Sequence, residues 1–189
     1  MYYLFRIIKQ NGGKGKNRKK RLTGNIGKCI LYQGDDMSEL ERLFIKGFSY
    51  GYHSRRGMYR LPEAALSRER LAALGGDWAA LCFVVMQDTY SSTRIQPDYR
   101  FTVTDKDIAS AVDHLHSLGL KVCMKPMVNC ADGVWRARIS FPEPEWGDKD
   151  YWAEWFSSYT AFLCHYAEIA EETGCEMFCV GCEMLTWRL

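Results

Sequence analysis

The residue whose type and setting most suggest chemistry is Glu183, which ends the run Phe178-Cys-Val-Gly-Cys-Glu183. A carboxyl at the end of an apolar run, with no cation close by in sequence, has two readings. It is either an anion set at the start of a helix or a site acid whose proton affinity its surroundings raise. On a strand, Glu183 shares a face with Gly181 and Cys179, and Gly181 leaves room for a ligand beneath the acid. Other polar groups sit where apolar runs stop: Tyr52, His53 and Arg55; Gln87, Asp88 and Thr89; Lys125, with Asn129 beyond it. Each taken singly reads as readily as a snorkelling surface residue or a helix cap.

Two patterns suggest metals and fail on geometry. Cys175-x3-Cys179-x2-Cys182 has the spacing of an iron–sulfur triad in radical enzymes. On a strand, however, Cys179 and Cys182 point to opposite faces, and Cys175 and Cys179 lie about 13 Å apart. His114 and His116, two apart on a helix, cannot share a ligand face. The acidic residues of 143–150 have no metal spacing, and no serine nucleophile elbow occurs. No cofactor and no metal are expected.

The elements that must position these groups alternate along the chain. Leu43–Tyr52 reads as a first strand, and Pro62–Leu74 as a helix with Pro in its first turn and Gly75-Gly76 as its stop. Asp77–Gln87 is nearly continuously apolar, as a strand buried on both faces must be. Thr104, with Asp107 three residues on, caps a second helix. Its Ile108, Ala111, Val112, Leu115 and Leu118 share one face, and Gly119 closes it. Leu120–Met127 is the third strand. A long helix over 150–173 follows, with Trp152, Trp155, Phe156, Tyr159, Phe162, Leu163, Tyr166 and Ile169 at helical spacing, and Cys175–Glu183 is the fourth strand.

Strand and helix in alternation with short αβ turns imply right-handed parallel βαβ units. Such a sheet either opens as a doubly wound fold or closes as a (β/α)₈ barrel. The open form normally carries a Gly-x-Gly phosphate turn after strand one, and Tyr52-His53-Ser54-Arg55-Arg56-Gly57 is not one. Long βα loops over 87–103 and 128–149 suit a barrel, whose site is built from such loops. At roughly 40 residues per unit, eight units would need about 330 residues, against about 250 in a typical barrel. The expected fold is therefore a (β/α)₈ barrel truncated to about its first four strands and three helices.

Charge divides the 189 residues in the same place. Residues 1–44 hold ten Lys/Arg against four Asp/Glu, and residues 45–189 hold fifteen against nineteen. The basic run Lys14-Gly-Lys-Asn-Arg-Lys-Lys-Arg21 is an anion-binding tail or a solvated leader. Nothing downstream continues it, so nucleic acid is not an expected partner. Residues 1–44 are expected to be a disordered leader and 45–189 the half-barrel. The apolar Met1–Ile8 precedes its charges, the reverse of an export signal. Most of the eight cysteines lie in apolar runs, where a thiol behaves as a small hydrophobe. A cytoplasmic location with reduced thiols is the expectation.

Several segments, in order, resemble glycoside hydrolase family 113. They are Lys46-Gly-Phe-Ser-Tyr-Gly-Tyr-His-Ser-Arg-Arg-Gly57, Val85-Met-Gln-Asp-Thr89, Gly119-Leu-Lys-Val-Cys-Met-Lys-Pro126 and Asp132-Gly-Val-Trp-Arg136. Trp155-Phe-x-x-Tyr159, His165-Tyr-Ala167 and Phe178-Cys-Val-Gly-Cys-Glu183 complete the set. The resemblance covers about residues 45–187 and implies a retaining β-mannanase-like (β/α)₈ barrel. It implies that Glu183 is the general acid/base and that the nucleophile is a second Glu ending strand seven, absent from this chain. It implies sugar-contact roles for Tyr52, Gln87, Lys125 and Trp135. Where the family usually has Thr-Glu or Asn-Glu, this chain has Cys182-Glu183, so the neighbouring polar contact is in question but the acid is not. The implied partner is a β-linked oligosaccharide or polysaccharide, with a homodimer or a missing barrel half to complete the fold. The competing expectation is a non-catalytic half-barrel that binds carbohydrate or assembles with another chain.

Overall fold

A computed structural model of the chain describes residues 3–6, 45–143, 145 and 149–183. Five strands form one sheet: β1 (Tyr3–Arg6), β2 (Gly47–Tyr52), β3 (Trp78–Gln87), β4 (Lys121–Cys130) and β5 (Met177–Gly181). Three helices connect the last four: α1 (Pro62–Ala73), α2 (Asp105–Ser117) and α3 (Tyr151–Glu172). The order across the sheet is β1-β5-β4-β3-β2. Strands β2 to β5 run parallel, each beside its neighbour in sequence, whereas β1 is antiparallel to β5.

The layering decides between the two parallel architectures. Ala79, Leu81, Phe83 and Val85 of β3 and Val122, Met124 and Val128 of β4 pack in one core with Leu71 of α1, Ile108, Val112 and Leu115 of α2, and Trp155, Phe162 and Ile169 of α3. All three helices therefore cover the same face. The alternate residues form two separate clusters on the opposite, inner face. One holds Cys82, Val84, Met86, Met127 and Cys182, the other Trp78, Cys123, Met177 and Cys179. A doubly wound sheet would carry helices on both faces. Sequential strand order with helices on one face is the winding of a barrel.

The α3 stripe is buried at Trp155, Tyr159, Phe162, Leu163, Tyr166 and Ile169, but Phe156 is exposed. Strand β4 runs three residues beyond the expected Met127, because Val128 and Cys130 continue its alternating burial. In the expected leader, Tyr3–Arg6 is a strand hydrogen-bonded along β5, so order is not absent there. Tyr-Leu-Phe is β-prone, and β5 offers it an edge with unpaired backbone groups. The remainder of the leader, including its basic run, lies outside the described residues. No helix among the described residues is long and apolar enough to cross a membrane.

The βα loops are tied down by Asp107, which is fully buried. Its carboxylate accepts hydrogen bonds from Thr104 N–H and the Thr104 hydroxyl (2.9 and 2.7 Å), from Gly57 N–H (2.8 Å) and from Arg60 Nε (2.6 Å). Burial alone would raise its pKa, but these donors outweigh it and bring it down from 3.8 to about 2. A carboxylate depressed on folding stabilises the fold above its unfolded pKa, and loses that contribution as pH falls toward the folded value. Asp107→Ala is expected to cost about 2 kcal/mol at pH 7. The gap to the parent protein should narrow between about pH 4 and pH 2, read by urea unfolding across that range.

Candidate active site

Strand alternation alone would turn Tyr52 toward the helices, beside Tyr50. Two successive positive φ angles, 97° at Gly51 and 95° at Tyr52, break the alternation and bring Tyr52 onto the inner-face cluster. Only glycine fits position 51, because a Cβ there would strike the Tyr59 hydroxyl and the Cys82 carbonyl. Those two groups are themselves hydrogen-bonded at 2.6 Å. At the other side of the sheet, β5 ends at Gly181, and Glu183 has a φ of 59°. Left-handed backbone at a non-glycine residue is costly and concentrates where a side chain must be aimed. Tyr52 and Glu183 are the two described non-glycine residues with positive φ.

Both side chains are aimed at Arg136. The guanidinium, only 4% exposed, sits at a short 3₁₀ turn after β4. Nη1 donates to Glu183 Oε2 at 2.6 Å, and Nη2 donates to Tyr52 Oη at 2.6 Å and Asn129 Oδ1 at 2.7 Å. Nε–H is shared between Asn129 Oδ1 and the Val128 carbonyl, both at 3.0 Å. Trp135 Nε1–H reaches the same Glu183 oxygen at 3.3 Å while half of its surface stays exposed. The ends of β2, β4 and β5 thus converge on one cation. The Glu183 side chain remains 41% exposed beside it. Chemically, this is a carboxyl held in one orientation at an open mouth, next to an aromatic face and a phenol. Such a group can exchange a proton with a bound hydroxyl or ether oxygen.

Tyr52, Trp135 and Glu183 therefore form one site, and two other sequence-predicted contacts stand apart from it. Gln87 is 1% exposed on the helix side of β3. Its Oε1 accepts from Trp155 Nε1 at 2.9 Å, and its Nε2 donates to the Thr89 carbonyl at 2.7 Å. Its position in the strand alternation puts its amide behind the sheet, where it holds α3 and the loop. Lys125 faces inward but pairs in register with Cys82, four residues below Asn129. That is about 13 Å down the strand from the mouth. Strand β4 is longer than its apolar run suggested, so Asn129 rather than Lys125 takes the strand-end position.

Arg136 is the residue that sequence reasoning did not assign. Glu183 has no cation near it in sequence, yet its partner lies 47 positions upstream in the Asp132–Arg136 turn. The usable signal was an arginine directly after an exposed-type aromatic in a Gly-containing turn. Asp132 builds that turn by accepting from Val134 N–H and Tyr90 N–H, both at 2.9 Å.

The cysteine triad divides, though not as strand alternation predicted. Cys182 lies past the end of β5 and joins the inner face with Cys179, while Cys175 packs on the helix side. Burial pushes the thiols of Cys175 and Cys130 up to about 11 and that of Cys123 to about 12. It also raises Cys82 and Cys179, against which Lys125 pulls in part. Among the described residues, no group of three or more His, Cys, Asp or Glu side chains is placed to hold a metal ion.

The hub makes a stability prediction. Arg136→Met would strand the Tyr52, Asn129 and Glu183 acceptors and is expected to cost about 2–3 kcal/mol. Glu183→Gln keeps an acceptor but removes the charge opposite a guanidinium that is 4% exposed, and is expected to cost about 1–3 kcal/mol. Urea unfolding of the two variants measures both.

Comparison with known proteins agrees with this architecture. The model of Glycoside Hydrolase Family 113 matches residues 48–188. No curated protein sequence matches the chain. Among solved structures, a GH113 β-1,4-mannanase is 41% identical, with a TM-score of 0.69 over 75% of this chain. The GH113 β-mannanase AaManA from Alicyclobacillus acidocaldarius, in complex with ManMIm, is 43% identical, with a TM-score of 0.71 over 76% of this chain. Each match takes in 46% of the solved chain, so this chain spans less than half of their length. Four parallel strands wound with their helices on one face are thus a fragment of the (β/α)₈ barrel, and the chain belongs to glycoside hydrolase family 113.

Proposed function

We propose that this chain is the acid/base-bearing half of a retaining glycosidase that cleaves β-1,4-mannosidic or related linkages. The observation that carries the reading is Glu183, at the end of the fourth parallel strand, held at the open mouth by Arg136 and Trp135. The solved proteins it is similar to are β-1,4-mannanases. In this reading Glu183 protonates the glycosidic oxygen as the leaving sugar departs, and then takes a proton from the water that frees the second sugar. The Trp135 ring supplies a face for pyranose C–H groups, and the Tyr52 hydroxyl a contact to sugar oxygens.

Retention needs a second carboxylate about 5–5.5 Å from the acid, as nucleophile. We assign that group to the later strands of the barrel, outside these 189 residues, which pack against this half. An exposed apolar flank supports this: Ile45 and Phe48 at the β2 edge, and Leu61, Leu66 and Leu74 around α1. A second reading, a carbohydrate-binding or assembling half-barrel without catalysis, rests on that same flank.

Mixing the 189-residue chain with the C-terminal half of a family 113 mannanase, and measuring reducing ends released from β-mannan, separates the two. The catalytic reading expects release only from the mixture, falling by about 10²–10⁴-fold with Glu183→Gln. Assembly and mannan binding without turnover would favour the second reading. Turnover indifferent to Glu183→Gln would remove Glu183 from the mechanism.

A further inference from the structure

Strand β1 stands apart from the rest of the sheet in its direction. Strands β2 to β5 run parallel, and β1 lies antiparallel beside β5. Every strand of a (β/α)₈ barrel is parallel to its neighbours, so β1 sits in the place of the next barrel strand without being one. It comes from residues that the family match, 48–188, does not include.

What β1 holds is the part of β5 nearest Glu183. Strand β5 pairs with β4 at its first two residues, Met177 with Cys123 and Phe178 with Met124. Strand β1 runs the full length of β5, with Arg6 opposite Met177, Phe5 opposite Phe178, Leu4 opposite Cys179 and Tyr3 opposite Gly181. Among the described residues, the register partners of Cys179 and Gly181 are therefore both in β1. Val180 falls at the register shift between Tyr3 and Leu4, and its carbonyl accepts the Tyr159 hydroxyl at 2.6 Å instead. Left bare, this edge would carry unpaired N–H and C=O groups just before the proposed acid.

One edge cannot serve two strands. With β4 on its other side, β5 offers a single edge, and a later parallel strand needs the same backbone groups that β1 uses. Per residue the antiparallel ladder is slightly the stronger, but β1 is only four residues long. A barrel strand also brings a helix that buries apolar surface on the outer face. The balance favours β1 while the later strands are apart, and the parallel strand once they pack. Residues 7–46 keep β1 attached to the sheet through β2 when it leaves β5.

We infer that β1 is an exchangeable edge strand: it pairs the mouth half of β5 in place of the next barrel strand, and it gives way when that strand packs. Closure of the barrel beside Glu183 then costs the pairing of β1, so β1 weakens that closure. Because only the backbone of β5 is involved, this exchange does not depend on the glycan reading above.

Hydrogen–deuterium exchange of the 189-residue chain, read by mass spectrometry, tests it. Residues 3–6 and 177–181 are expected to be protected in the chain by itself. Adding the C-terminal half of a family 113 mannanase should release protection at 3–6 and keep it at 177–181. Successive N–H groups alternate between the two sides of a strand, so one of Leu4→Pro and Phe5→Pro must remove a ladder donor. That variant should exchange about tenfold faster over 179–181 and bind the added half more tightly than the parent does. Unchanged protection over Trp78–Gln87 shows that the rest of its sheet is intact; if that is lost as well, the parent mixture decides. Protection at 3–6 that persists in the mixture, with or without association, or that is absent from the chain by itself, would overturn the exchange. So would an intact variant that binds the added half no better than the parent.

Discussion

A single buried cation organises the mouth of this half-barrel. Arg136 spends every guanidinium nitrogen on acceptors drawn from three different strand ends, so none of these ends can move independently. An isolated guanidinium at 4% exposure would be untenable, and the carboxylate of Glu183 is the charge that offsets it. The planar fork matters as well as the charge: a lysine at this position could satisfy one or two of these acceptors, not all of them. The left-handed backbone at Tyr52 and at Glu183 follows from the same demand. Tyr52 turns out of the strand alternation and Glu183 turns just past the end of β5, both toward Arg136, and the network holds them there.

Below that level, the described inner face is mostly apolar, with Ser49 and Lys125 among thiols that stand where a larger barrel core would use branched side chains. Burial raises the thiols of Cys82, Cys123 and Cys179, which suits them to packing rather than to nucleophilic attack.

The edges of the sheet set the other constraint. On one side β1 satisfies the backbone of β5 in the antiparallel sense, where a complete barrel would place its next parallel strand. On the other side β2 is the last of the described strands, flanked by exposed Ile45 and Phe48. Open edges and an apolar flank are the features that proteins ordinarily cover.

Much of this architecture can be read in the amino-acid order, because it follows from local periodicity. The apolar run of β3, the Thr104–Asp107 capping box and the aromatic stripe of α3 each announce their element within a dozen residues, and their alternation implies parallel winding. Glu183 was legible for the same reason, as a charge ending an apolar run. What depended on distance in the chain was not legible. The end of β4 was set by pairing with β3 through Cys130, which moved Lys125 into the interior and put Asn129 at the mouth. Gln87 faces the helices by the alternation of β3, but the partner that engages it there, Trp155, lies 68 positions away. Arg136 found Glu183 across 47 residues through a loop with no period. Local order along the chain specifies which groups could do chemistry and which elements carry them. Tertiary structure alone decided which of those groups meet, because a buried charge or amide takes whichever partner folding brings within hydrogen-bond reach.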